Sequence, residues 1–133
     1  MTEPTSPGLI GIHHATFLIS DLERSLAFYQ GLLGLALDGR RPASMGFPGA
    51  WLQLPSGQQL HLMQLPNPDP VEGRPEHGGR DRHCAFTVAD LPGLLRRLED
   101  AGVPFTESRS GRAAAFCRDP DGNALEFIGA TTL

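Results

Sequence analysis

Four side chains able to hold a metal ion stand at matching places in a sequence that repeats itself. His14 opens the run His14-Ala15-Thr16-Phe17-Leu18-Ile19-Ser20-Asp21-Leu22, which is answered by His83-Cys84-Ala85-Phe86-Thr87-Val88-Ala89-Asp90-Leu91. The far ends echo too: Pro55-Ser56-Gly57-Gln58-Gln59-Leu60-His61-Leu62 is answered by Pro120-Asp121-Gly122-Asn123-Ala124-Leu125-Glu126-Phe127, which pairs His61 with Glu126. Imidazole nitrogen and carboxylate oxygen are donors that divalent transition metals accept, at about 2.0–2.2 Å for zinc. One histidine in a strand is more often structural than a ligand. Four donors at symmetric positions make a set, and if the first and last strands of each copy are neighbours, each copy brings two of them to one place.

The elements that must position these groups follow from the local patterns. Leu9 to Ile19 is apolar and β-branched enough for a strand, with His14, Thr16 and Leu18 on one face and His13, Ala15, Phe17 and Ile19 on the other. His13 therefore points away from His14, toward the helix-packed side. Ser20-Asp21-Leu22-Glu23 has the form of a capping box, and Leu22, Leu26, Tyr29 and Leu33 follow at helical spacing up to Gly34. Two short strands and a loop fill 35–54, and Leu60 to Leu65 alternates with His61 and Met63 on one face. Residues 66–81, rich in proline and glycine, form a linker. After it come a strand over 82–88, a helix capped by Asp90 and closed by Gly102, and strands near 103–107, 112–118 and 124–129. The expected architecture is α+β: two βαβββ modules, residues 9–65 and 82–130, in a single domain over 1–133. Such an internal repeat decides the fold reading before any single element does.

Composition bounds the rest. At 133 residues with 40% hydrophobic content the chain can bury a core, whereas half of it alone would be marginal. The formal charge is −4 and the basic residues are all arginine, in runs no longer than two, so no nucleic-acid footprint is present. No apolar window approaches the length that spans a bilayer. Residues 1–8 have neither the charged leader nor the apolar stretch of a signal peptide and read as a short disordered tail. Cys84 and Cys117 each lie in a strand-like run and read as buried free thiols of a cytoplasmic protein.

Gly11-Ile12-His13-His14, the run from Asp21 to Tyr29, Leu32-Leu33-Gly34-Leu35 and Asp119-Pro120-Asp121-Gly122-Asn123-Ala124-Leu125-Glu126 together resemble the vicinal oxygen chelate superfamily. That superfamily includes glyoxalase I, fosfomycin-resistance proteins, extradiol dioxygenases, methylmalonyl-CoA epimerase and bleomycin-resistance proteins. The resemblance covers both modules and implies a cupped, barrel-like mixed sheet around a divalent metal, Ni, Zn, Mn or Fe. It makes His14, His83 and Glu126 ligands and puts His61 where glyoxalase I carries a glutamate. Glu126 is then the candidate catalytic base, acting on a metal-stabilised enediolate or similar oxyanion. Thr16 matches a substrate-side threonine of the fosfomycin-resistance pattern, but Phe116 replaces its tyrosine and the sequence ends at Leu133, before its arginine. The run from Asn67 to His83 resembles a glyoxalase-like group of bacteria and plants.

The resemblance thus implies a glyoxalase I-like lyase acting on a small molecule with vicinal oxygens. An iron-dependent extradiol dioxygenase and a non-catalytic binding protein of the bleomycin-resistance kind are the alternatives. Trp51 and Met45 come from strands that line the cavity in such folds. Arg74, Arg80 and Arg82 are either solvated loop charges, the simpler reading, or a clamp for an anionic substrate group. A homodimer is expected, with a site built within one chain or shared between two.

Overall fold

In the computed structural model, residues 5–130 are described, and the first half of the expected N-terminal tail lies outside them. The chain runs β1 (His14–Ile19), α1 (Leu22–Leu26) continued by a wider π-type turn (Ala27–Leu32), β2 (Ala36–Asp38), β3 (Gly49–Gln53) and β4 (Gln59–Gln64). It then repeats as β5 (His83–Val88), α2 (Leu91–Asp100), β6 (Phe105–Glu107), β7 (Ala114–Arg118) and β8 (Ala124–Gly129). Two four-stranded mixed sheets result, ordered β1-β4-β3-β2 and β5-β8-β7-β6. In each, the first strand lies parallel to the last.

The duplication extends to the register. His14 stands opposite Gln59 and Thr16 opposite His61; His83 stands opposite Ala124 and Ala85 opposite Glu126. Each module therefore brings a first-strand histidine and a last-strand donor onto one face. Alternation sends the other face inward, so that Leu60, Leu62, Leu125 and Phe127 join Tyr29, Leu94 and Leu98 in one core contributed by both modules. Cys117 is buried there and Cys84 is half-buried; burial pushes both thiols up, that of Cys117 to about 12.

Three local expectations are corrected. The first strand starts at His14, not Leu9: residues 9–12 carry no strand pairing, and Leu9, Ile10 and Ile12 are exposed. The capping box does not form as such, because Asp21 is the residue that caps α1 through Arg24 N, and Ser20 instead gives its hydroxyl to Asp121 of the second module. His13 is exposed and shares a hydrogen bond with His14 (Nδ1 to Nδ1, 2.9 Å) rather than packing under the helix. The helix ends are as expected: Gly34 and Gly102 take positive φ of 77° and 71°, and Asp90 caps α2 through Gly93 N.

The modules are clasped where the Asp119–Asn123 turn meets α1 and β1. Tyr29 donates its hydroxyl to Asp119 Oδ2 at 2.7 Å, and Asn123 Nδ2 donates to Leu18 O at 3.2 Å. The other Asp119 oxygen accepts from the amides of Asp121 and Asn123, both at 2.9 Å. Burial raises the pKa of both Tyr29 and Asp119, as expected of a phenol and a carboxylate removed from water. Tyr29→Phe, which leaves a buried carboxylate short of one donor, is expected to cost about 1–3 kcal/mol. Urea unfolding measures it; an unchanged midpoint would mean the clasp contributes nothing.

Candidate metal centre

The structure assembles the four sequence-predicted ligands as two pairs. In the first module the His14 and His61 rings stack, with centroids 3.9 Å apart and planes 13° from parallel, and Trp51 stacks on the other face of His61 at 4.7 Å and 9°. In the second, His83 Nε2 lies 3.2 Å from Glu126 Oε1. Among the described residues no three histidine, cysteine, aspartate or glutamate side chains form one metal-holding group, so within one chain the two pairs stand apart, and each would be a half-site of any four-ligand centre. His14 and His83 are exposed, His61 is half-buried and Glu126 is 4% exposed.

The second half-site is held from three sides. Arg74 Nη1 (3.2 Å) and Arg118 Nη1 (3.0 Å) fix the Asp81 carboxylate, and the Asp81 carbonyl accepts from His83 Nδ1 at 2.8 Å. A carbonyl only accepts, so His83 carries a proton on Nδ1 and turns Nε2 toward the Glu126 carboxylate. Arg112 Nη2 meets the other Glu126 oxygen at 3.2 Å. Ligands about 2.1 Å from a common ion are themselves roughly 3.0–3.4 Å apart in octahedral or tetrahedral arrangements, so the His83–Glu126 spacing fits an edge of such a polyhedron. Phe116, in register with Glu126, packs its edge against His83 at 5.2 Å between centroids and against His77 at 4.7 Å.

The first half-site fits a metal in donor type but not yet in aim. Lone pairs of imidazoles lie in the ring plane, so two stacked rings cannot both point at one ion until one of them turns. Burial and then the neighbouring His14 lower the pKa of His61, which keeps it neutral and able to donate a lone pair at physiological pH.

Other predicted residues are placed as follows. Thr16 is exposed beside His61 on the ligand face. Trp51 is a wall of the first half-site rather than core. Arg74 is engaged by Asp81 and by Pro70 O, and Arg82 by Asp69 at 2.6 Å, so two of the three arginines of the suggested clamp already serve the linker's own fold. Arg80 is exposed on a short 3-10 turn whose Gly78 is buried against Phe116 and Ala124. A cleft of about 620 Å³ opens between the modules, lined by Ile12, Thr16, Arg82, His83 and Asn123 among others. Asp81, Arg112 and Arg118, not singled out from sequence as site residues, come from positions whose roles depend on how the linker folds back; only the adjacency of Asp81 to His83 hinted at one of them.

The profile of the Glyoxalase/Bleomycin resistance protein/Dioxygenase superfamily matches residues 11–127. The chain belongs to that superfamily. It is 28% identical over 130 residues to Glyoxylase I 4 of Arabidopsis thaliana (94% of this chain, 74% of the relative). It is 32% identical over 124 residues to Glutathione transferase FosA of Serratia marcescens (90% of this chain, 80% of the relative). A glyoxalase/dioxygenase from Nostoc punctiforme superposes with a TM-score of 0.76 at 24% identity, covering 97% of each chain. The fosfomycin resistance protein FosX of Listeria monocytogenes, in a crystal structure with Mn(II) and 1S,2S-dihydroxypropylphosphonic acid, superposes with a TM-score of 0.70 at 17% identity, covering 92% of this chain and 93% of that one. These structural likenesses establish the two-module fold, and among the described residues no helix is long and apolar enough to cross a membrane.

The Asp81 anchor has a consequence for stability. Burial raises the Asp81 pKa, but hydrogen bonds from Arg118 and the Arg82 amide, with Arg74 nearby, outweigh it and hold the carboxyl below its ordinary value. A carboxyl depressed in the folded state stabilises above its unfolded pKa, about 4, and that contribution is lost as pH falls through the folded value. Asp81→Asn should therefore lower the urea midpoint at neutral pH, with the gap to wild type closing in acid. A gap unchanged with pH would rule out the ion pairs as its source.

Proposed function

We propose that this protein is a metal-dependent enzyme of the glyoxalase I-like kind, acting on a small molecule with two adjacent oxygens, with His14, His61, His83 and Glu126 as ligands. The observation that carries the reading is the His83–Glu126 pair: an imidazole Nε2 and a buried carboxylate oxygen 3.2 Å apart, with the histidine's other nitrogen tied to Asp81. The similarity to Glyoxylase I 4 supports a lyase. A divalent cation in that place supplies Lewis acidity toward the substrate oxygens and so acidifies the adjoining C–H. Glu126, buried and paired with Arg112, is the group positioned to take that proton and return it. Trp51 and the face of His61 supply a flat apolar wall, and Thr16 a hydroxyl, on the same surface. An extradiol dioxygenase stays as the second reading, because His14, His83 and Glu126 also make the two-histidine, one-carboxylate set that suits ferrous iron.

The site is proposed to be completed in a homodimer, where His14 and His61 of one chain face His83 and Glu126 of another. Supporting this, each pair lies at an accessible face of its own module, and the apolar segment around Leu9, Ile10 and Ile12 is exposed, without cover among the described residues. On this proposal the protein works in the cytoplasm, with a small molecule and a second copy as its partners.

His14→Ala, His83→Ala and Glu126→Ala should each lose bound metal, by at least tenfold in affinity, while the fold survives, because these side chains lie on the strand faces opposite the helix-packed apolar cluster; His61→Ala should lose less. Metal analysis after purification without chelator, with circular dichroism alongside, checks this, and full metal occupancy in the first three variants would overturn the ligand assignment. Mixing His14→Ala chains with Glu126→Ala chains should restore one intact site per mixed dimer. A dimer without such rescue would place each site inside one chain.

A further inference from the structure

We propose that Gln59, Asp38 and Arg40 are positioning residues that hold the His61 imidazole in a single tautomer, protonated on Nε2 and with Nδ1 as its free lone pair. The inference matters for catalysis only if His61 is a ligand, as read above, but its geometry stands without a metal.

The chain of bonds begins at a buried carboxylate. Asp38 is 6% exposed and closes the short strand β2 opposite Trp51. Arg40 reaches it with Nε at 2.9 Å and Nη2 at 2.6 Å, a forked pair that keeps it ionised. Gln59 Nε2 donates to the same carboxylate at 2.6 Å. An ionised carboxylate has no proton to give, so the Gln59 side chain must turn its NH₂ toward Asp38 and its oxygen away. That oxygen lies 2.9 Å from His61 Nε2. An amide oxygen only accepts, so Nε2 carries the hydrogen, and in a neutral imidazole Nδ1 is then bare. Each orientation is decided by the one before it, back to Arg40, which cannot lose its proton.

The two modules thereby present opposite nitrogens. His83 gives Nδ1–H to the Asp81 carbonyl and turns Nε2 toward Glu126, whereas His61 gives Nε2–H to Gln59 and keeps Nδ1 free. The duplicated position explains why only one module can do this: Gln59 stands opposite His14, and its counterpart opposite His83 is Ala124, which has no amide. Partners of this kind fix ring orientation at metal sites, and their loss costs about 10–100-fold in affinity.

The test uses the full-length protein, stripped of metal and labelled with ¹⁵N, in long-range proton–nitrogen correlation spectra at about pH 8.5, where an ordinary imidazole is neutral. His61 is expected to show a protonated Nε2 and a bare Nδ1, and His83 a protonated Nδ1. In Gln59→Met, which keeps side-chain length and removes both amide bonds, His61 should become a mixture of tautomers, and Zn²⁺ affinity should fall about 10–100-fold. A wild-type His61 protonated on Nδ1 would overturn the proposal, and so would an unchanged tautomer in Gln59→Met; the wild-type spectrum decides it even if the variant does not fold. If the tautomers are as expected but the wild-type protein binds no Zn²⁺ or Mn²⁺, the positioning assignment holds and the metal reading falls.

Discussion

The buried hydrogen bond from Tyr29 to Asp119 is the constraint on which the arrangement of the site depends. It joins the helix of the first module to the last turn of the second, beside a core to which both modules contribute. A carboxylate that is 5% exposed is costly to bury unless its oxygens are satisfied, and here each oxygen is, by Tyr29 and Asn123 Nδ2 on one side and by two backbone amides on the other. Because that clasp commits the helix-facing sides of both sheets to the shared core, the His-bearing strand faces are left pointing away from it. The openness of the two half-sites thus follows from how the core is closed.

The duplication gives each module the same scaffold and then lets different groups tune it. In both, the second donor lies two residues beyond the partner of the first, since His14 pairs with Gln59 ahead of His61, and His83 with Ala124 ahead of Glu126. Around this common frame the first module uses an amide and an ion pair to orient an imidazole. The second uses a backbone carbonyl, anchored by Arg74 and Arg118 through Asp81. Ala124 leaves space where Gln59 fills it, and the turn at Gly78 settles there, near enough that a Cβ on Gly78 would lie 3.4 Å from the Ala124 and Phe116 side chains. The linker is accordingly part of the second half-site, although its composition is that of a loop.

The sequence by itself determined the two-module α+β fold, because strand alternation, helix spacing and turn glycines are local and were each written twice. It also singled out His14, His61, His83 and Glu126 as candidates, since a repeat aligns donors whose separations would otherwise carry no meaning. Where two local signals competed, sequence reading went astray: Ser20 and Glu23 have the form of a capping box, but Asp121 arrives from far along the chain and takes the Ser20 hydroxyl. The same holds for Leu9 to Ile12, whose apolar pattern suits a strand that finds no partner among the described residues. Only the tertiary structure decided that the four candidate donors gather as pairs, that Asp38 and Gln59 stand behind His61, and that Asp81 and Arg112 stand behind His83 and Glu126. These contacts join positions brought together by strand register and by the folded linker, and hydrogen bonds act over about 3 Å regardless of sequence separation, so no local pattern could have announced them.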